Sequence, residues 1–330
     1  MNALLAWWQR LCGASAWLRF VDINLRGTGQ VMFQNHPLTG ALFLVAIAWG
    51  SLAARAPEVL FGGLLGLVTA TLTALWLRVD KDSLEAGLYG YNGILVGLAL
   101  ATFLASSALL WCYVVLGAAV SVVAMLGTAN VARTWQVSAL TFPFVLTTWL
   151  LLLATYAFAG LDSDVLPFGG AIVPLDAAAS NPLNAAAFVE GIFKSISQVF
   201  LKGDGISALL FVAGLAVSSV AAAIFALGGA VVAVTCAHLL GAESELISAG
   251  LLGFSPVLTA IALGTVFYRP SPRVVAYAVL GTVFTVIVQG AMNVAFTPLG
   301  IPALTAPFVL TSWLFLLPRQ HFASANDANA

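Results

Sequence analysis

The chain has 330 residues, of which 61% are hydrophobic and only 8% are charged. A soluble globular domain carries roughly 25% charged residues, so this composition cannot cover a normal water-facing surface, and lipid is the expected solvent. The 12 Lys+Arg against 13 Asp+Glu nearly cancel and form no basic tract, which excludes a nucleic-acid binder.

Residues 3–20, with Trp7, Trp8, Trp17, Arg10 and Arg19, predict a helix lying in the membrane interface rather than a signal peptide, because Gln9 and Arg10 cut the apolar stretch. Residues 22–36 are amphipathic and too broken to span. Apolar spans follow near 38–54, 58–77, 87–105, 107–128 and 138–158. A Gly/Pro/Asp segment occupies 160–185. A second broken segment, 190–204, then precedes spans near 205–221, 222–239, 249–267, 274–294 and 303–318. The small polar tail after His321 reads as frayed. Glu190 and Lys194, four residues apart, predict an ion pair.

With ten spans, nine cations (Arg10, Arg19, Arg26, Arg78, Lys81, Arg133, Arg269, Arg273, Arg319) share one face and three (Arg55, Lys194, Lys202) the other. The positive-inside rule then puts both termini in the cytoplasm.

The sequence also repeats. LTFPFVLTTWLLLL (140–153) recurs as LTAPFVLTSWLFLL (304–317), GLYGYNGILVGLAL (87–100) as GLLGFSPVLTAIAL (250–263), and GQVMFQNHPLTGALF (29–43) as SQVFLKGDGISALLF (197–211). Three blocks in order indicate a duplication, residues 1–165 and 166–330. Five spans per repeat is an odd number, so the second repeat enters the membrane from the opposite side. The expected fold is all-α and integral to the membrane: ten transmembrane helices in two inverted-topology repeats of five. Each repeat adds a tilted re-entrant half-helix, from 22–36 and 190–204, and a solute site is expected where the repeats meet.

Recurring chemistry narrows the function. Gln30 and Gln198 are uncharged amides; Thr147 and Thr311 are hydroxyls in equivalent helices; Phe33, Tyr91, Leu95, Phe254 and Leu258 are bulky apolar groups. Such a path suits a flat, neutral, hydrogen-bonding solute. A membrane Thr otherwise bonds its own i−4 carbonyl or a neighbouring helix. His36 and His238 are isolated. Cys12, Cys112 and Cys236 form no paired motif, and Cys112 and Cys236 read as small apolar packing residues. No nucleophile, metal or nucleotide motif occurs in a fitting context, so no enzyme, cofactor or metal is expected. The absence of carboxylates within spans disfavours ion coupling.

The motifs LRGTGQVMF (25–33), NHPLTG (35–40), GLYGYNGILVG (87–97) and the paired LTxPFVLT blocks closely resemble the urea transporter family over about residues 22–320. The resemblance implies a homotrimer in a bacterial inner membrane, with one pore per subunit passing urea down its gradient. The implied pore residues are Gln30, Phe33, Tyr91, Leu95 and Thr147 from one repeat, and Gln198, Val199, Leu201, Phe254, Leu258 and Thr311 from the other. Thr147 and Thr311 would flank the narrowest point, with helix-end oxygens accepting from the urea amides. Three departures stand out. Tyr91 replaces the usual Phe, Leu201 stands where some members have a second Phe, and Gln198 where some have Glu. These leave a channel for short amides, ammonia or water as the alternative; a carrier or a non-transporting membrane subunit is a more distant rival.

Overall fold

A computed structural model describes residues 2–158 and 183–319; most of the predicted 160–185 segment and the tail after His321 lie outside them. The described residues are helical, without strands. The chain starts with α1 (Asn2–Ala14) and α2 (Ala16–Gln30). The single interfacial helix expected over 3–20 is thus divided, because the Ser15 hydroxyl accepts from the Leu18 amide and starts a new helix.

From α2 onward the elements come in two sets of the same order. The first is α2, α3 (Pro37–Ala53), α4 (Pro57–Trp76), α5 (Lys81–Glu85), α6 (Gly90–Phe103), α7 (Ala108–Thr134) and α8 (Phe142–Thr155). The second is α9 (Ala185–Ser197), α10 (Gly205–Ser218), α11 (Val220–Leu239), α12 (Ser244–Ser248), α13 (Phe254–Ile261), α14 (Pro272–Phe296) and α15 (Ala306–Leu316). The starts are written in the sequence. His36, Ser107, Asp204, Ser219 and Ser271 each accept a backbone amide from the first turn of the helix they precede. Pro stands in the first turn of α3, α4, α8, α14 and α15.

Among the described residues, four helices, α4, α7, α11 and α14 with its 3₁₀ extension to Leu299, are long and apolar enough to cross a membrane, and α9 and α10 form a pair bent by 72°. The spans expected over 87–105 and 249–267 are shorter helices. A left-handed turn at Gly87 or Gly250 separates α6 from α5 and α13 from α12, a break that hydropathy does not register. At 1.5 Å rise per residue, the 14 residues of α6 reach about 21 Å, less than the ~30 Å hydrocarbon layer.

The glycine turns are needed twice over. Besides the positive φ, a Cβ on Gly87 would stand 2.3 Å from the Gly27 amide nitrogen, and one on Gly250 would stand 2.4 Å from the Ser195 nitrogen.

The two sets are joined by reciprocal bonds. Thr39 donates to the Gly214 carbonyl at 2.8 Å, and Ser207 donates to the Ala46 carbonyl at 2.8 Å. The Trp149 indole donates to the Pro302 carbonyl, and the Trp313 indole to the Ser138 carbonyl. Phe43, Phe200 and Phe211 fill the α3–α10 contact, the last two rings stacked at 4.7 Å. In an apolar solvent such bonds and close packing, rather than expulsion of water, hold helices together. The outer surface carries large apolar side chains, Trp76 and Leu239 among the most exposed.

Ion pairs repeat as well. Lys194 meets Glu190 at 2.6 Å, as the spacing predicts, and Arg26 meets Asp22 at 2.6 Å at the matching place in the first set. Cys236 is half-buried, but Cys112 is exposed on α7, not packed as its apolar setting suggested.

Candidate functional site

Two cavities lie where the sets meet, and every residue that the smaller takes from the first set has its counterpart in the wall of the larger. One encloses about 260 Å³ and includes Gln30, Val31, Phe33, Tyr91, Met125, Leu140 and Thr141. The other encloses about 560 Å³ and includes Gln198, Val199, Leu201, Phe254, Gln289, Leu304 and Thr305. Each borrows residues from the opposite set: Val266 and Phe267 close the smaller, and Thr102, Phe103 and Phe144 the larger.

The broken helices place the amides. α2 ends at Gln30 and its chain reverses through Phe33 at φ 64°; α9 runs through a 3₁₀ turn, Gln198–Phe200, and reverses at Leu201 with φ 54°. Gln30 Nε2 donates to the Ala86 carbonyl at 2.9 Å, and Gln198 Nε2 to the Ala249 carbonyl at 3.1 Å. These carbonyls belong to the residues ending α5 and α12, immediately before the glycine turns. Anchoring the amide nitrogen fixes the side chain and leaves its carbonyl oxygen as the acceptor at the wall.

The rings are less symmetric. Phe33 meets Phe267 and Phe308 edge-on, at centroid distances of 6.2 and 6.0 Å. Leu201, in the matching place, brings no ring. The Tyr91 hydroxyl, which had to find a partner, donates to the Leu140 carbonyl at 2.5 Å and lies 3.7 Å from the Met125 sulfur.

The cavities approach one another at a hydroxyl pair. Thr141 lines the smaller and Thr305 the larger, and their Oγ1 atoms are 2.7 Å apart. Both are buried, and both follow a leucine in the left-handed region, Leu140 at φ 53° and Leu304 at φ 52°. A non-glycine residue there costs on the order of 1–2 kcal/mol. Such strain, repeated at matched positions beside a cavity, is a feature to weigh as functional. It turns each chain sharply so that the threonine precedes its helix.

Of the eleven residues expected from the sequence, Gln30, Phe33, Tyr91, Gln198, Val199, Leu201 and Phe254 stand on the cavity walls. Leu95, Leu258, Thr147 and Thr311 are buried but are not among the wall residues. The Thr147 and Thr311 hydroxyls have no hydrogen-bond partner, whereas Thr71, Thr102, Thr259, Thr265 and Thr285 bond back to the i−4 carbonyl. Sequence reasoning missed Thr141 and Thr305. The signal was present: a proline two residues later marks the start of a helix, so each of these threonines stands at a helix end.

The arrangement is a pair of apolar chambers, each with an anchored amide, meeting at two hydroxyls. It offers no charge to an ion. It offers acceptors and donors to a neutral solute that sheds its water, together with ring edges and alkyl walls for a flat one.

A sequence model of the urea transporter family matches residues 21–320. Over 306 residues the chain is 29% identical to urea transporter 1 of sheep (Ovis aries), covering 91% of this chain and 77% of that protein. It is 28% identical to urea transporter 1 of rat (Rattus norvegicus) over 303 residues, with the same coverage.

Proposed function

The chain belongs to the urea transporter family, and from that premise we propose that it is a channel passing urea down its gradient through one pore in each subunit. Family membership makes it a membrane transport protein rather than an enzyme. The observation that carries the channel reading is the pair of amide-bearing cavities meeting at Thr141 and Thr305.

The proposed path runs through both. It is lined by Gln30, Phe33 and Tyr91 on one side and by Gln198, Val199, Leu201 and Phe254 on the other, with Leu95 and Leu258 buried one helical turn beyond Tyr91 and Phe254. Thr141 and Thr305 stand at the junction, with Thr147 and Thr311 further along their helices. Urea is planar, with N–H donors at its edges. The Gln30 and Gln198 oxygens would accept from those edges, while rings and leucines restrict the slot to a flat molecule. An ion would lose far more on desolvation than neutral oxygens return.

The same proposal takes residues 1–165 and 166–330 as inverted-topology repeats of five spans each, with α2 and α9 as tilted re-entrant half-helices. Reciprocal bonds such as Thr39–Gly214 with Ser207–Ala46 support a two-fold relation between them. Both termini are cytoplasmic, the membrane is a bacterial inner membrane and the assembly is a homotrimer. The larger cavity, with Leu201 in place of a ring, favours a second reading in which short amides, ammonia or water also pass.

Uptake of labelled urea into proteoliposomes tests the proposal. The rate should exceed that of empty vesicles several-fold and ignore imposed proton and sodium gradients. Uptake no faster than in empty vesicles, from protein shown to be folded, contradicts it. A parallel acetamide and water series separates the second reading.

A further inference from the structure

The two cavities differ most at one matched position. In the smaller, the Met125 sulfur of α7 accepts from the Asn92 amide at 3.9 Å and lies 3.7 Å from the Tyr91 oxygen, whose proton goes to the Leu140 carbonyl. The residue 164 positions later is Gln289 of α14, and the residues matching Tyr91 and Asn92 are Phe254 and Ser255. The second repeat has therefore lost the phenol hydroxyl, exchanged the Asn92 amide for the Ser255 hydroxyl, which is buried without a partner, and gained an amide at 289.

Gln289 is 1% exposed and lines the larger cavity. Its Nε2 donates to Asn293 Oδ1 at 3.0 Å, one turn along the same helix, and its Oε1 is buried with no partner. Asn293 lines the same cavity. A buried amide with an unmade bond is costly to leave unsatisfied. Exchanging O and N in both side chains would leave a Gln289 N–H in place of the oxygen, so either assignment presents one unused end of a primary amide. A packing role alone would be filled by methionine, as it is at 125.

We infer that Gln289, held by Asn293, is a further solute-binding residue: a docking point in the larger cavity for the amide edge of the solute, before it reaches the Thr141–Thr305 junction. This rests on the urea-channel reading and deepens it. It also makes the path unequal at its two ends, since the smaller cavity has no such group at the matching position.

The test is urea flux into proteoliposomes across a concentration series for the wild type, Gln289→Met and Asn293→Ala. Gln289→Met copies the residue the first repeat already uses. It should raise the half-saturating urea concentration about three- to tenfold, the value of one neutral hydrogen bond, with maximal flux changed less than twofold. Asn293→Ala should shift it in the same direction by less, and serves if the first variant does not fold. Unchanged half-saturation in a folded variant, with or without a lower maximal flux, overturns the inference while leaving the channel reading intact. A wild type that carries no urea overturns both.

Discussion

Replacing Thr141 and Thr305 together by valine is expected to slow urea permeation by about tenfold or more while leaving the protein close to wild-type stability. The two hydroxyls satisfy each other at 2.7 Å in a buried setting. Removing both deletes a bonded pair and leaves no orphan, the case in which the cost to folding is nearly neutral. The solute fares differently. A urea molecule at the junction, stripped of water, loses two partners, each with a net value of about 0.5–1.5 kcal/mol. Together that is a barrier higher by about 1–3 kcal/mol, or roughly five- to 150-fold in rate. Either single variant should be less stable than the double, because one hydroxyl is then buried unpaired. Thr147→Val with Thr311→Val should slow urea less, since those residues lie off the cavity walls. Stopped-flow urea permeability and thermal unfolding in detergent, on all four variants, check both halves of this expectation. A double variant with wild-type permeability contradicts it.

Gly97→Leu is expected to abolish recovery of folded protein. α4 and α6 meet through Gly62 and Gly66 on one helix and Gly93 and Gly97 on the other, each pair separated by three residues, so that the backbones approach closely. A Cβ on Gly97 would stand 2.0 Å from the Gly62 carbonyl oxygen, and one on Gly66 would stand 2.2 Å from that of Gly93. These are backbone atoms and cannot turn aside as a side-chain tip can. Even alanine must push the helices apart, at a cost of about 1–3 kcal/mol or more. Because α6 also carries Tyr91 and Leu95, a milder Gly97→Ala variant should lower both the unfolding temperature and urea permeability. Size-exclusion profile, unfolding temperature and flux test this together. A Gly97→Leu protein that purifies and melts like the wild type rules the packing account out.

Much of this is legible in the order of the amino acids. Low charge and long apolar runs dictate lipid as solvent, and the cap residues His36, Ser107, Asp204 and Ser271 announce their helices directly. The matched broken segments 22–36 and 190–204 point to the site, and the amides they carry, Gln30 and Gln198, do line the cavities. What hydropathy does not show is where apolar chain stops being helix. It joins α6 and α13 to the turns before them, because Gly87 and Gly250 are as compatible with a span as any apolar residue. Thr147 and Thr311 are singled out by the paired PFVLT blocks, while Thr141 and Thr305 pass unnoticed inside spans drawn from 138 and 303. Pro143 and Pro307 mark the helix starts just after them, since proline favours the first helical turn. Gln289 and Asn293, four residues apart in an apolar run, are visible too. Their meaning depends on knowing that both face a cavity.

One measurement addresses the central claim, that urea crosses through the junction of the two cavities. Thr305→Cys, reconstituted in vesicles, is treated with a small neutral thiol reagent, and urea flux is followed alongside stoichiometry by mass spectrometry. Cys12, Cys112 and Cys236 line neither cavity, so the treated wild type provides the control. The account predicts that unmodified Thr305→Cys conducts urea, that modification of the introduced thiol removes most of that flux, and that the wild type is unaffected. Complete modification with undiminished urea flux would contradict it.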